Sequence, residues 1–323
     1  MRRLGILAVA APLGFGALPA SAETWDMPVA YPASNYHTEN AVAFAEEVAE
    51  KTGGELEITV HPGGSLFKGD EIKRAVQTGQ VQIGERLISA LANENPLFGI
   101  DALPFLATSF EDSKKLYEAS KPALEEVLSE QGMMLLYAVA WPPQGLYANK
   151  PIEQASDMQG VKFRAYNAAT ARVAELMGAV PTQIEEAELT QAFATGVAES
   201  MISSGSTGYD RKLWEHTDYW YDAQAWLPKN MVIVNTEAFE GLPEDQQQAL
   251  LEAAGNAEAR GWAKAEELAE WYKEQLAAEG MTVQPPGEQL KADFEAIGQQ
   301  MTEEWLAQAG DTGQQVIDAY KGM

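Results

Sequence analysis

One short order of elements is written twice in this chain. Residues 54–60, Gly-Glu-Leu-Glu-Ile-Thr-Val, alternate polar and apolar side chains, the period of a strand with one buried face. A helical run over 70–77 follows, ends at Thr78-Gly79 and leads into a short apolar strand over 81–84. Residues 161–164, Val-Lys-Phe-Arg, alternate again, and a helical run over 168–177 stops at Gly178. Ala192-Phe193-Ala194-Thr195-Gly196 then echoes Ala75-Val76-Gln77-Thr78-Gly79. Strands alternating with helices predict an α/β layer fold. Their doubling predicts two lobes of similar build. Ahead of the first strand, Val42, Ala45, Val48 and Ala49 fall at helical spacing within 38–51, with Gly53 as a stop.

The last third reads differently. Over 244–279, Leu251, Ala254, Trp262, Ala265, Leu268, Tyr272 and Leu276 share one helical face, which Glu258 interrupts. Pro243 and Gly280 stand at its two ends, where such residues belong. A helix of roughly 35 residues is ~50 Å long, enough to span both lobes. Gly255 and Gly261, flanking Glu258, mark a possible bend. Pro285-Pro286 forms a turn before a second amphipathic run over 289–308.

Compartment follows from the start of the chain. Arg2 and Arg3, a mostly apolar run over 4–18 and Ala20-Ser21-Ala22 make a secretory signal, cut after Ala22. The run falls short of the ~20 residues that span a bilayer, and no later stretch reaches that length. Cleavage removes two basic residues and no acidic one, taking the formal net charge from −26 to −28. Such a chain repels nucleic acid and anionic lipid, so neither nucleic acid nor direct membrane insertion is expected of the mature protein. Cysteine is absent, which excludes thiol catalysis, thiolate metal sites and disulfides. The three histidines are too scattered for a metal set. No phosphate loop, nucleophile elbow or paired-histidine zinc motif occurs. No cofactor is expected.

Arg164 is the strongest candidate for chemistry. On the alternating strand, Val161, Phe163 and Ala165 share the core face, while Lys162, Arg164 and Tyr166 share the other. That places Arg164 and Tyr166 at the carboxyl end, where open α/β sheets bind ligands. A planar guanidinium holds a carboxylate through two parallel charged hydrogen bonds. Arg86, just past the short strand over 81–84, is a second cation at the expected cleft, free for ligand or paired with Glu85. Trp141, Tyr147, Tyr166 and Tyr209 combine apolar faces with hydrogen-bonding edges, which suits either a core or a ligand wall.

Several motifs resemble the solute-binding subunit of TRAP transporters, the DctP-type family. They are Asn149-Lys150-Pro151-Ile152, then residues 157–164, then residues 192–197, together with 101–106 and 71–84 in the first lobe. The resemblance spans essentially the whole mature chain. It implies a two-lobed periplasmic binding protein fold with a long helix bracing both lobes and a cleft that closes on ligand. It also implies that Arg164 makes the main salt bridge to a ligand carboxylate. Loops like the one over 31–37 line the cleft in that family, making Tyr31, Asn35 and His37 candidates. Two positions depart from the sialic acid binders: Gln144 stands where they carry a second arginine, and Ser203 stands where an asparagine meets their ligand.

The expected function is therefore capture of a small organic acid anion in the periplasm and delivery to the TRAP permease membrane subunits. The expected divisions are a signal over 1–22, lobe I over 23–141 with 230–270, and lobe II over 142–229 with 271–323. The apolar Met201 and Ile202 beside Ser203 favour a flat or aromatic acid over a sugar acid, whose hydroxyls need many buried partners. The rival of another class is a periplasmic hydrolase or lyase acting on a small carboxylate. It would need an activated nucleophile or tuned acid–base pair, where only generic carboxylates occur. A binding protein serving an ATP-driven importer or a chemoreceptor would share the architecture.

Overall fold

The computed structural model describes residues 22–323, so the secretory signal read over 1–22 lies, Ala22 apart, outside the described residues. β1 (Glu23–Pro28) and β2 (Leu56–His61) pair in parallel across α1 (Tyr36–Lys51), and α2 (Gly69–Gln77) leads into β3 (Ile83–Leu87). α3 (Phe110–Ser129) precedes β4 (Met133–Ala140), after which the chain crosses into a second sheet. That sheet is built from β5 (Gln144–Ala148), β6 (Lys162–Ala165), β7 (Val180–Gln183), β8 (Ser200–Ser204) and β9 (Tyr219–Tyr221). Between them lie α4 (Ala168–Leu176), α5 (Leu189–Ala194) and α6 (Gly205–Asp210). β10 (Lys229–Asn235) then returns to the first half and inserts antiparallel between β3 and β4. After α7 (Thr236–Gly241) and α8 (Glu244–Ala278), β11 (Thr282–Gln284) joins the second sheet, in order β11-β9-β5-β8-β6-β7. α9 (Glu288–Lys321) ends the chain.

The doubled motif is reproduced atom for atom at its turns. Thr78 Oγ1 donates to the Arg74 carbonyl at 2.8 Å, and Thr195 Oγ1 donates to the Gln191 carbonyl at 2.8 Å. Gly79 (φ 68°) and Gly196 (φ 69°) then take the left-handed conformation that ends a helix, one that costs glycine little. The first of these turns also consumes Val81, whose N–H bonds the Ala75 carbonyl. The strand expected over 81–84 accordingly begins two residues later, at Ile83.

α8 is continuous over 35 residues and packs on α1 and β4 with its first part, on α6 and β11 with its last. Leu251, expected on its buried face, is 43% exposed. Leu250, Ala253, Ala257 and Gly261 carry the stripe instead. The interrupting Glu258 has a structural explanation. Its carboxylate accepts from the Ala138 N–H at 3.0 Å and from Tyr117 Oη at 2.9 Å, while Trp262 Nε1 donates to the Ala138 carbonyl at 2.9 Å. β4 is the outer strand of its sheet, and these two side chains satisfy its free edge, which would otherwise offer a pairing template. Gly261 is no helix break. A Cβ there would collide with Val139 and come 2.9 Å from Asn40 Nδ2, so it is the point where helix backbone touches strand.

α9 runs past the expected end at 308, bending at Gly310 (φ 59°). Its Trp305, Val316 and Ile317 pack with Leu116, Leu128 and Phe98 of the first half.

Gly261 and Gly255 predict opposite outcomes for one substitution. Gly261→Ala should destabilise by about 1–3 kcal/mol through overpacking. At Gly255 a Cβ meets nothing within 4 Å, so Gly255→Ala should stabilise by about 0.4–1 kcal/mol through helix propensity and chain entropy. Chemical denaturation of the two variants measures both.

Candidate functional site

Arg164 lies at the carboxyl end of β6, with Phe163 and Ala165 buried beneath it in the core. The residue is only 3% exposed. Nε donates to the Ile184 carbonyl at 3.0 Å, Nη2 stands 3.9 Å from Glu186, and the group lies 5.0 Å from the Tyr166 ring centroid. Burial pulls its pKa down, opposed by the nearby Glu186 carboxylate. An ion this deep needs a fuller complement of partners than one distant carboxylate.

Around it is a tight cavity of about 40 Å³, polar and apolar in its lining. Of the residues singled out from sequence, Arg164, Tyr166, Arg86, Gln144, Trp141 and Ser203 all line it. Their polar atoms are ordered behind the wall. Trp226 Nε1 donates to Tyr166 Oη at 3.1 Å, Tyr166 Oη donates to Gln144 Oε1 at 3.2 Å, and Gln144 Nε2 donates to the Pro142 carbonyl at 3.0 Å. On the facing wall, Trp141 Nε1 (2.9 Å) and Tyr31 Oη (3.3 Å) both donate to Asn230 Oδ1, whose Nδ2 donates to Glu85 at 2.9 Å. These bonds fix the positions of Trp141 and Tyr31, both of which line the cavity.

Four candidates lie elsewhere. Tyr147 is fully buried in the core, its Oη donating to the Ser204 carbonyl at 2.8 Å. Asn35 caps α1, its Oδ1 accepting from the His37 N–H at 2.9 Å, and its Nδ2 reaches across to Asp210 at 2.7 Å. His37 packs against Trp141, its ring tilted and the centroids 4.2 Å apart, and desolvation lowers its pKa far below the usual imidazole range. It buttresses a wall without lining the cavity. Tyr209, in the last turn of α6, packs on Trp271 and Tyr272 of α8. A core ring, a helix cap, an inward-turned ring and a helix-packing ring look the same in sequence as four cleft residues.

Glu185 and Glu186, absent from the sequence-based candidates, are central here. They follow β7, and both line the cavity. Glu185 meets Arg86 at 3.4 Å, and Glu186 meets Arg211 at 2.7 Å. Arg86 stands on the β3 side, so the first pair bridges the two halves of the molecule. Asn167 Nδ2, donating to Ser89 Oγ at 2.9 Å, and the Asn35–Asp210 bond do the same. The cleft is closed.

Among the described residues, no cluster of histidine and acidic side chains could hold a metal ion, and no helix is long and apolar enough to cross a membrane.

The model of the bacterial extracellular solute-binding proteins, family 7, matches residues 29–308. The chain is similar to a Bordetella pertussis extracytoplasmic solute receptor binding pyroglutamic acid. The two are 53% identical over 93% of this chain and 100% of the other, with a TM-score of 0.92. A TRAP solute-binding protein from a marine metagenome, specific for pyroglutamate, is 54% identical over 94% of this chain and 99% of its own, with a TM-score of 0.92. The C4-dicarboxylate-binding periplasmic protein DctP of Rhodobacter capsulatus is 29% identical over 64% of each chain.

Glu85 predicts a pH signature. It is 2% exposed, and burial pushes its pKa up to about 7, only partly offset by the Asn230 hydrogen bond. The native state therefore holds a proton that the unfolded chain has released, and stability falls as pH rises from about 4.5 through 7. Glu85→Gln keeps the acceptor for Asn230 and removes the charge. Its stability should match that of the parent near pH 4 and exceed it by on the order of 3 kcal/mol at pH 8. Urea denaturation at several pH values reads the difference.

Proposed function

The chain belongs to family 7 of the bacterial extracellular solute-binding proteins, TRAP receptors rather than enzymes, and from that premise we propose that it captures a small cyclic monocarboxylate of the pyroglutamate type in the periplasm and delivers it to TRAP permease subunits. The observation that carries this reading is Arg164, a nearly sealed cation whose nearest carboxylate, 3.9 Å away, is shared with Arg211. A ligand carboxylate would complete its shell with two parallel charged hydrogen bonds. The roles of Tyr166, Gln144, Trp141, Ser203 and Arg86 as ligand contacts belong to the same proposal.

Pyroglutamate-type acids suit the cavity on two further counts. Their ring is compact and flat enough to lie against Trp141 and Tyr31, so the flat body expected from sequence is kept and aromaticity is not required. Their hydroxyl count is nil, which suits a wall whose polar ends already bond one another. Two relatives above half identity, the Bordetella and metagenome proteins, are described as pyroglutamate binders. The lobes that would close on the ligand are residues 23–141 with 230–270 and residues 142–229 with 271–323, the end of α9 reaching back over the first.

Calorimetry with pyroglutamate tests the site. Arg164→Ala should lose ~3–5 kcal/mol of binding, since it leaves a buried ligand charge unpaired, and Arg164→Lys should also bind poorly because a point charge cannot reproduce the fork. Affinity of Arg164→Ala close to that of the parent would refute the assignment. Closure should also shrink the radius of gyration on adding ligand, as small-angle scattering reads it.

A further inference from the structure

We propose that Glu185 sets the charge class of the ligand: by neutralising Arg86 inside the cavity, it turns a second anion site into an uncharged donor–acceptor pair and excludes dicarboxylates. The inference rests on the reading that a ligand carboxylate binds Arg164. Arg86, Arg164, Glu185 and Glu186 line the cavity, and Arg211 pairs with Glu186 from outside that lining. Arg86 is paired with Glu185 at 3.4 Å, whereas Arg164 and Arg211 share Glu186 at 3.9 and 2.7 Å. Glu186 is thus divided between two cations, which leaves Arg164 the less completely paired of the cavity's arginines. Glu85, behind the Tyr31–Trp141 wall, is held back from ionising by its burial. A cavity with one incompletely paired cation fits a monoanion.

The Arg86–Glu185 pair is not closed on itself. Arg86 is 8% exposed, lines the cavity, and its Nε–H has no hydrogen-bond partner among the described residues. Glu185, by contrast, is an acceptor with lone pairs to spare beyond the Arg86 contact. Side by side, the two present a donor and an acceptor with no net charge. A cis amide, as a small lactam ring must contain, shows the inverse pattern, a carbonyl beside an N–H. A carboxylate in the same place would meet Arg86 favourably but abut the Glu185 carboxylate at close range, where like charges repel strongly. The pair therefore admits an amide edge and rejects a second acid group.

Glutarate and pyroglutamate separate this proposal from the reading beneath it. Glutarate carries two carboxylates on a five-carbon chain, and binding is read by calorimetry for the parent, Glu185→Gln and the double variant Glu185→Gln/Arg86→Met. Removing the Glu185 charge should tighten glutarate by about tenfold or more, and the double variant should return it to the parent level. Glutarate affinity unchanged in Glu185→Gln overturns the role of Glu185, as does a gain that survives loss of Arg86. A variant that loses pyroglutamate without gaining glutarate overturns it equally, since Glu185 would then be a ligand contact or closure contact alone. Pyroglutamate with the parent and Arg164→Ala reads the underlying assignment separately: equal binding by both would sink that assignment whatever glutarate does.

Discussion

A cation in a dry place organises this molecule. Transferring a guanidinium from water into protein costs several kcal/mol unless its donors are met, and Arg164 is buried on every side. Its Nε is satisfied by the Ile184 carbonyl, its face by Tyr166, and its outer donors point into the cleft with Glu186 at the edge of ion-pair range. The unmet part of that shell is what a ligand can supply. A protein carrying a formal net charge of −26 attracts an anion only through such a local exception, sheltered from the bulk field by low-dielectric walls.

The walls obey the same rule in neutral form. Each aromatic ring facing the cavity has its polar end tied behind it, Tyr166 through Trp226 and Gln144, Trp141 and Tyr31 through Asn230. Rings anchored in this way lose little freedom when a ligand arrives, which lowers the entropic cost of binding. His37 extends the pattern one layer outward: its imidazole packs, tilted, between Tyr36 and Trp141, with neither nitrogen bonded to another described side chain.

Much of this was legible in the residues. Alternation placed Arg164 on the face opposite Phe163, and the Thr-Gly echo marked two turns built alike to 2.8 Å hydrogen bonds. Gln144 and Ser203 were found through motif order and Trp141 through its aromatic character, and all three line the cavity. What escaped was anything that depends on partners distant in the chain. Glu185 and Glu186 are two of 48 acidic residues, and only folding brings Arg86, ninety-nine positions earlier, against the first of them. Glu258 looked like a flaw in a helical stripe because its partners, Tyr117 and the Ala138 backbone, lie more than a hundred residues away. Asn35, His37 and Tyr209 were read as cleft residues because local pattern cannot tell which way a cap or a ring turns.

The return of β10 has a consequence for how the chain comes to be folded. Its seven residues form the middle strand of the first half's sheet, bonded to β3 on one side and β4 on the other. Until residue 235 has joined, β3 and β4 have nothing between them, and the far edge of β4 stays open until Glu258 and Trp262 arrive. The first half thus cannot mature on its own while the rest is still being made or moved. Its completion waits on sequence that lies beyond the entire second sheet's central strands. The halves are braided by chain order, so acquisition of the native state is a late, joint event.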